Sequence, residues 1–250
     1  MKYILGIDVG GTKIAAGLVT KDGKVSDLKV LPTFQNDLGG QLVELIKSYK
    51  EYSGIGLGLP GQVLPSGEVP YLPNIPRFKD KNLKKVLEKQ FRVPVVLNND
   101  ADAFAYAESV LGFGKGQPIV AGVILGTGIG LGMVIDKKIF PGSEGAAGEI
   151  GRFPMLDGTP LEVHVRNAGK FQNAKAAEKY LRLILSYVVL SFNPHIIILG
   201  GSWSKLPGME SAANAIIKSL EHYKSKTKVK VSKFPHVELV GTALPLFYES

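Results

Sequence analysis

The stretch Leu5–Val19, LGIDVGGTKIAAGLV, sets two adjacent glycines, a threonine and a lysine between two apolar runs, with Asp8 just upstream. Glycines in such a setting let backbone amides approach a phosphate, so the spacing can be tested against known cradles. A P-loop requires G-x-x-x-x-G-K-[ST], but here Thr12 precedes Lys13 and the order is reversed. A dinucleotide fingerprint opens a helix after its glycines. The residues after Gly11 instead include β-branched ones and run to a turn at Asp22-Gly23. The stretch therefore reads as strand, glycine turn, strand. A Gly-Gly pair also closes ordinary hairpins with no further role, and these residues alone leave both readings open.

Working outward, periodicity predicts strands near Tyr3–Asp8, Lys13–Thr20 and Val25–Leu31, a helix near Leu38–Tyr52 and a strand at Gly54–Leu59. A helix near Asn82–Phe91, a strand at Pro94–Leu97 and a helix from Ala101 follow. The order is βββαβαβα. A second hairpin, VAGVIL then LGMVID, turns through ILGTGIGLG and continues to KKIF. Beyond an irregular glycine-rich stretch come a helix near Lys175–Phe192, the strand HIIIL, a helix near Met209–Tyr223, a strand near Val237–Val240 and a short terminal helix. Leu181, Ile184, Leu185, Val188, Val189 and Phe192 form one buried stripe, and Asn193-Pro194 ends it. The repeated order predicts two stacked α/β units with facing glycine hairpins, able to grip a polyphosphate from both sides. The boundaries are 1–112 for a smaller first domain, possibly joined by a terminal helix over 242–250, and 113–241 for the second.

Composition narrows the function classes. The chain has 250 residues, 45% hydrophobic and 21% charged, as ordinary globular domains do. No segment reaches the roughly 18 apolar residues of a membrane span, and Asp8 interrupts the N-terminal run too early for a signal peptide. A cytoplasmic location and no membrane partner are expected. There is no cysteine, and histidines at 164, 195, 222 and 236 show no metal-ligand spacing. The net charge of +8 is densest in HYKSKTKVKVSK, His222–Lys233. Its lysines mostly alternate with apolar or small residues, which fits a strand with a solvated face. No nucleic-acid partner is expected.

DVGGTK, LPG at Leu59–Gly61, PN at Pro73-Asn74, NNDADAFAYAE, GTGIGLG and AAGEIG together resemble the ROK sugar kinases, bacterial glucokinase-like members of the actin/hexokinase ATPase superfamily. The motifs occur in the family's order and span nearly the whole chain. The resemblance implies two ribonuclease H-like (actin-like ATPase) domains separated by a cleft, and ATP-dependent phosphorylation of a hexose hydroxyl, glucose at its 6-position first. Fructose, mannose or an N-acylated hexosamine is the alternative substrate. A non-catalytic sugar-sensing or interaction protein on the same fold is the alternative class. Family repressors carry an N-terminal helix-turn-helix, and a chain opening at the phosphate motif is not expected to be one.

Residue by residue, the resemblance makes Asp100 the general base, with Asn74, Asn99, Asp100, Glu149 and Glu162 binding sugar. Asp8 takes Mg²⁺ directly or through water. Gly10, Gly11, Thr12 and Lys13 meet the phosphates from one side, Gly126, Thr127 and Gly128 from the other, and Gly200 and Gly201 lie beside adenosine. Asp100 falls at a strand end and a helix start, where the helix N-terminus is expected to favour its ionised form. A plain N-cap role competes with the catalytic one. Most family members continue AGEIGH into a cysteine-rich zinc loop, whereas AGEIG here runs into Arg152. No zinc site is expected, and Arg152 is expected to bridge nearby carboxylates such as Glu149 or Glu162. A monomer or homodimer is equally compatible with the sequence.

Overall fold

A computed structural model describes residues 2–70, 72, 82–126, 128–220 and 225–248. Asn74 and Thr127 lie outside the described residues. The first lobe contains β1 (Ile4–Val9), β2 (Lys13–Val19), β3 (Val25–Pro32), α1 (Leu38–Lys47), β4 (Ile55–Leu59), α2 (Leu83–Phe91), β5 (Val95–Asn99) and α3 (Asp100–Val110). The second contains β6 (Ile119–Leu125), β7 (Ile129–Ile135), β8 (Lys138–Ile139), α4 (Leu161–Asn167), α5 (Ala174–Phe192), β9 (Ile196–Gly200), α6 (Met209–Lys218) and β10 (Lys228–Val231). The helices α7 (Val237–Ala243) and α8 (Pro245–Tyr248) follow.

The two sheets share one plan. The first runs β3-β2-β1-β4-β5 and the second β8-β7-β6-β9-β10. In each, the opening hairpin is antiparallel and the two later strands add in parallel to its first strand. The βββαβαβα order is present in both halves, with α4 inserted in the second. Turn chemistry agrees with the residues: Gly23 has φ +80°, and Asp136 and Lys137 adopt φ 49° and 67° in the tight β7–β8 turn.

The last strand is where periodicity fails. Val237–Val240 is helical, not extended, and the strand is the lysine-rich KVKV at Lys228–Val231. An edge strand buries one face only, so alternating lysines suit it. The run VELVGTA buries nearly every residue because α7 lies between layers, and a helix hidden on all sides loses its periodic signature.

Helices α3 and α7 form that middle layer. Ile4 and Val19 of the first sheet, Phe104 of α3, Val120 and Ile198 of the second sheet and Val240 of α7 share one buried cluster. Small residues make the approach possible. A methyl group at Gly132 of β7 would overlap the Ala101 carbonyl, and one at Gly241 of α7 would overlap the Ala103 carbonyl. DADAFAYA therefore supplies alanines where backbones nearly touch. The remaining apolar residues form one core per lobe, under α1 and α2 in the first and under α5 and α6 in the second. Among the described residues no helix is long and apolar enough to cross a membrane.

Candidate functional site

The strand β5 delivers Asn99 and Asp100 to the cleft. Asn99 is the N-cap of α3: its Oδ1 accepts from the Ala101 amide at 2.8 Å, while its Nδ2 donates to the Gly61 carbonyl at 2.9 Å. The capping role proposed for Asp100 thus belongs to its neighbour. Asp100 is the first helical residue, and its Oδ1 also accepts from the Ala101 amide, at 2.9 Å. The helix end does not keep this carboxyl acidic, contrary to the sequence expectation. Burial raises its pKa to about 6, with Glu149 and Glu238 adding to the rise and the Ala101 amide offsetting part of it. Desolvation outweighs the backbone hydrogen bonds that favour the ionised form.

A cavity of about 300 Å³ gathers Asn99, Asp100, Gly126, Gly128, Glu149 and Glu162. Pro60 and Gly61 of the LPG turn also line it. Glu149 precedes the short 3-10 turn Ile150–Arg152 and accepts from Arg152 Nε at 2.8 Å, which ties the arginine into the site. Glu162 lies in the first turn of α4, and its Oε2 comes within 3.6 Å of where a methyl on Gly128 would be. Sequence reading missed Arg166, which lines the same cavity one helical turn after Glu162. The E-x-x-x-R spacing was the signal available.

Arg152 sits in the stretch where the resemblance implies a zinc loop. That loop closes on itself: Pro154 pairs with Pro160, the Met155 amide donates to the Thr159 carbonyl, and Asp157 holds His164 at 3.0 Å. Among the described residues no group of three or more His, Cys, Asp or Glu could hold a metal ion.

The nucleotide candidates divide. In the first hairpin, the carbonyls of Gly10 and Gly11 are engaged by Thr33 Oγ1 at 2.7 Å and Gln35 Nε2 at 3.0 Å, which pins the turn. Asp8 lies near the end of β1, and its pKa is raised to about 7, first by burial, then by Asp100 and Glu238, with Lys13 opposing. A carboxylate so placed suits a hard divalent cation, which binds through one or two carboxylates plus substrate phosphates. In the second hairpin the Gly126 amide donates to the Gly128 carbonyl at 3.0 Å. Asp8, Gly10–Lys13, Gly200 and Gly201 do not line the cavity that holds Asp100. Gly200 and Gly201 have packing reasons of their own, since added methyls would press on the Phe104 ring and the Leu125 backbone.

The ROK family model matches residues 4–164 of the chain. The chain belongs to the ROK family. An N-acetyl-D-glucosamine kinase of Vibrio atlanticus is 38% identical to this ROK chain over 253 residues, covering 80% of it and 84% of the relative. A glucokinase of Streptomyces coelicolor is 36% identical over 162 residues, covering 62% of the chain and only 51% of that enzyme. The chain thus spans about half of that relative's length. Among solved structures, the ROK hexokinase of Thermus thermophilus superposes with a TM-score of 0.77 at 25% identity, over 99% of this chain and 98% of that one. The two mixed five-stranded sheets are the two-domain, actin-like arrangement of this ROK structure.

Proposed function

We propose that the protein transfers the γ-phosphoryl of ATP to a hydroxyl of a neutral hexose, with glucose at its 6-position as the first substrate to try. The observation that carries this is one cavity lined by Asp100, Asn99, the two further acidic residues Glu149 and Glu162, and the glycines Gly126 and Gly128. Amides and carboxylates suit sugar hydroxyls, because one group can meet two at once. A glycine turn beside them suits phosphate. Asn74 completes the sugar contacts in this reading, and Thr127 the phosphate contacts.

The step needs positioning, charge neutralisation and one proton acceptor. The sugar oxygen forms a bond to the γ-phosphorus, its O–H proton passes to the Asp100 carboxylate, and the bond to the bridging oxygen breaks to release ADP. Asn99, Glu149 and Glu162 orient the ring. The amides of Gly11 and Thr12, with Lys13, hold the phosphates from the first lobe and the Gly128 amide from the second, while the Gly10 and Gly126 amides close their own turns, with Gly200 and Gly201 beside adenosine. Asp8 would hold Mg²⁺ directly or through water, and the ion would neutralise phosphate charge there. An N-acylated hexosamine is the second substrate reading, favoured by the long match to the Vibrio atlanticus kinase.

Asp100→Asn tests the assignment. A neutral amide keeps hydrogen bonds but takes no proton, so kcat should fall by about 10² or more while sugar binding stays within roughly tenfold. Near wild-type turnover would remove Asp100 from the chemistry.

A further inference from the structure

Among the described residues, two cationic side chains line the cavity that holds Asp100: Arg152 and Arg166. Arg152 is engaged, its Nε donating to Glu149 Oε2 at 2.8 Å. Arg166 is not. It lies one helical turn after Glu162 on α4, where an i, i+4 ion pair is the ordinary outcome. Yet it enters no ion pair with a described residue. Asp157, the acid of the neighbouring loop, holds His164 at 3.0 Å. Glu162 lies against the glycine turns instead: its Oε2 comes within 3.6 Å of where a methyl on Gly128 would stand, and within 3.3 Å of one on Gly151.

A phosphoryl group on its way to a hydroxyl beside Asp100 has to enter this cavity. Gly126 and Gly128 line it, whereas Asp8 and Lys13 do not. The carboxyls of Asp100, Glu149 and Glu162 already line it, and the incoming group adds negative charge, spread during transfer over three equatorial oxygens. That charge calls for a cation inside the same cavity. We propose that Arg166 is a further catalytic residue, its guanidinium meeting the γ-phosphoryl oxygens as the group passes from ATP to the sugar. The planar fork of N–H donors matches phosphate oxygens, which an ammonium meets only as a point charge. The side chain is exposed, so it reaches the phosphoryl without breaking an ion pair. The balance of the step is unchanged: the sugar O–H proton still passes to Asp100, and Arg166 keeps its own protons, since a guanidinium is not deprotonated in proteins. The catalytic role rests on the kinase activity proposed above; the contact with the γ-phosphoryl does not require turnover.

Arg166→Gln and Arg166→Lys test this in the full chain with Mg²⁺ present. Arg166→Gln should lower kcat about 10²-fold or more, with the sugar KM within about threefold of wild type and Tm unchanged, as at other exposed positions. Lysine restores the charge without the fork, so Arg166→Lys should recover part of the loss. Calorimetric titration with ADP and with a non-hydrolysable ATP analogue reads the contact itself, because the two nucleotides differ by the γ-phosphoryl. The preference of wild type for the ATP analogue over ADP should shrink at least fivefold in Arg166→Gln. An unchanged kcat would overturn the proposal. A raised sugar KM at unchanged kcat would overturn it too, making Arg166 a sugar contact. If wild type turns over no sugar, the kinase reading fails and the titration decides alone: an equal preference in wild type and Arg166→Gln would then overturn the γ-phosphoryl contact, and a reduced one would uphold it.

Discussion

Asn99, not Asp100, takes the N-cap position of α3. Asn99 and Asp100 both accept from the Ala101 amide, and burial is the largest influence on the Asp100 titration. Its folded pKa of about 6 lies above the ordinary aspartate value of 3.8. A general base must be ionised, so kcat should decline as pH falls through about 6, tending to tenfold per unit, and a pH–rate profile flat to pH 5 would exclude Asp100 as the base. Stability runs the other way. The folded chain binds a proton that the unfolded chain releases between pH 3.8 and about 6, so this group's contribution falls as pH rises through that window. Without ligands, Asp100→Asn should therefore raise Tm at pH 8 relative to wild type, with a smaller gain at pH 4.5; equal Tm values at pH 8 would deny the burial cost. Arg152 is about half exposed, and exposed ion pairs add only about 0–1 kcal/mol. Arg152→Ala should leave Tm unchanged and raise the sugar KM several-fold by freeing Glu149, and an unchanged KM would make it a plain surface arginine. At this scale the motifs exposed the carboxylates and glycines. Burial was invisible, and so was the pKa of Asp100 that depends on it.

The elements owe their legibility to periodicity, and glycine shows its limit. A run such as GTGIGLG does not say which glycine serves a ligand and which serves packing. Geometry separates them. A methyl at Gly241 would overlap the Ala103 backbone, whereas at Gly128 the nearest atom is Glu162 Oε2 at 3.6 Å. Gly241→Val should thus destabilise the fold strongly, as overpacking does. Gly128→Val should keep a near wild-type Tm while raising the ATP KM or abolishing turnover. If Gly128→Val melts early, the turn is structural and not a phosphate cradle. The loop through Met155 and Thr159 is closed by its own backbone, which suits a loop ordered without metal. A zinc chelator should leave Tm and turnover unchanged while withdrawal of Mg²⁺ stops turnover, and elemental analysis finding one zinc per chain would contradict the first half.

The molecule as a whole places its two glycine hairpins in separate sheets with α3 and α7 between them, and the cavity around Asp100 takes residues from both lobes. Repetition of βββαβαβα made the paired sheets readable from sequence. The middle layer was not, because α7 is buried all round and its residues show no face. Two lobes meeting at a cavity suit hinge closure that expels water around the substrates. Scattering with a saturating sugar should give a smaller radius of gyration, and no compaction with a sugar that is turned over would count against closure. Kinase activity itself is tested most directly by a coupled ADP-release assay with ATP and Mg²⁺ across common hexoses and N-acylated hexosamines. The expected result is ADP release that depends on one neutral sugar, is matched by an equal amount of phosphorylated sugar and is lost in Asp100→Asn; sugar binding with no ADP release from any of them would contradict the kinase and leave a sensor on the same fold.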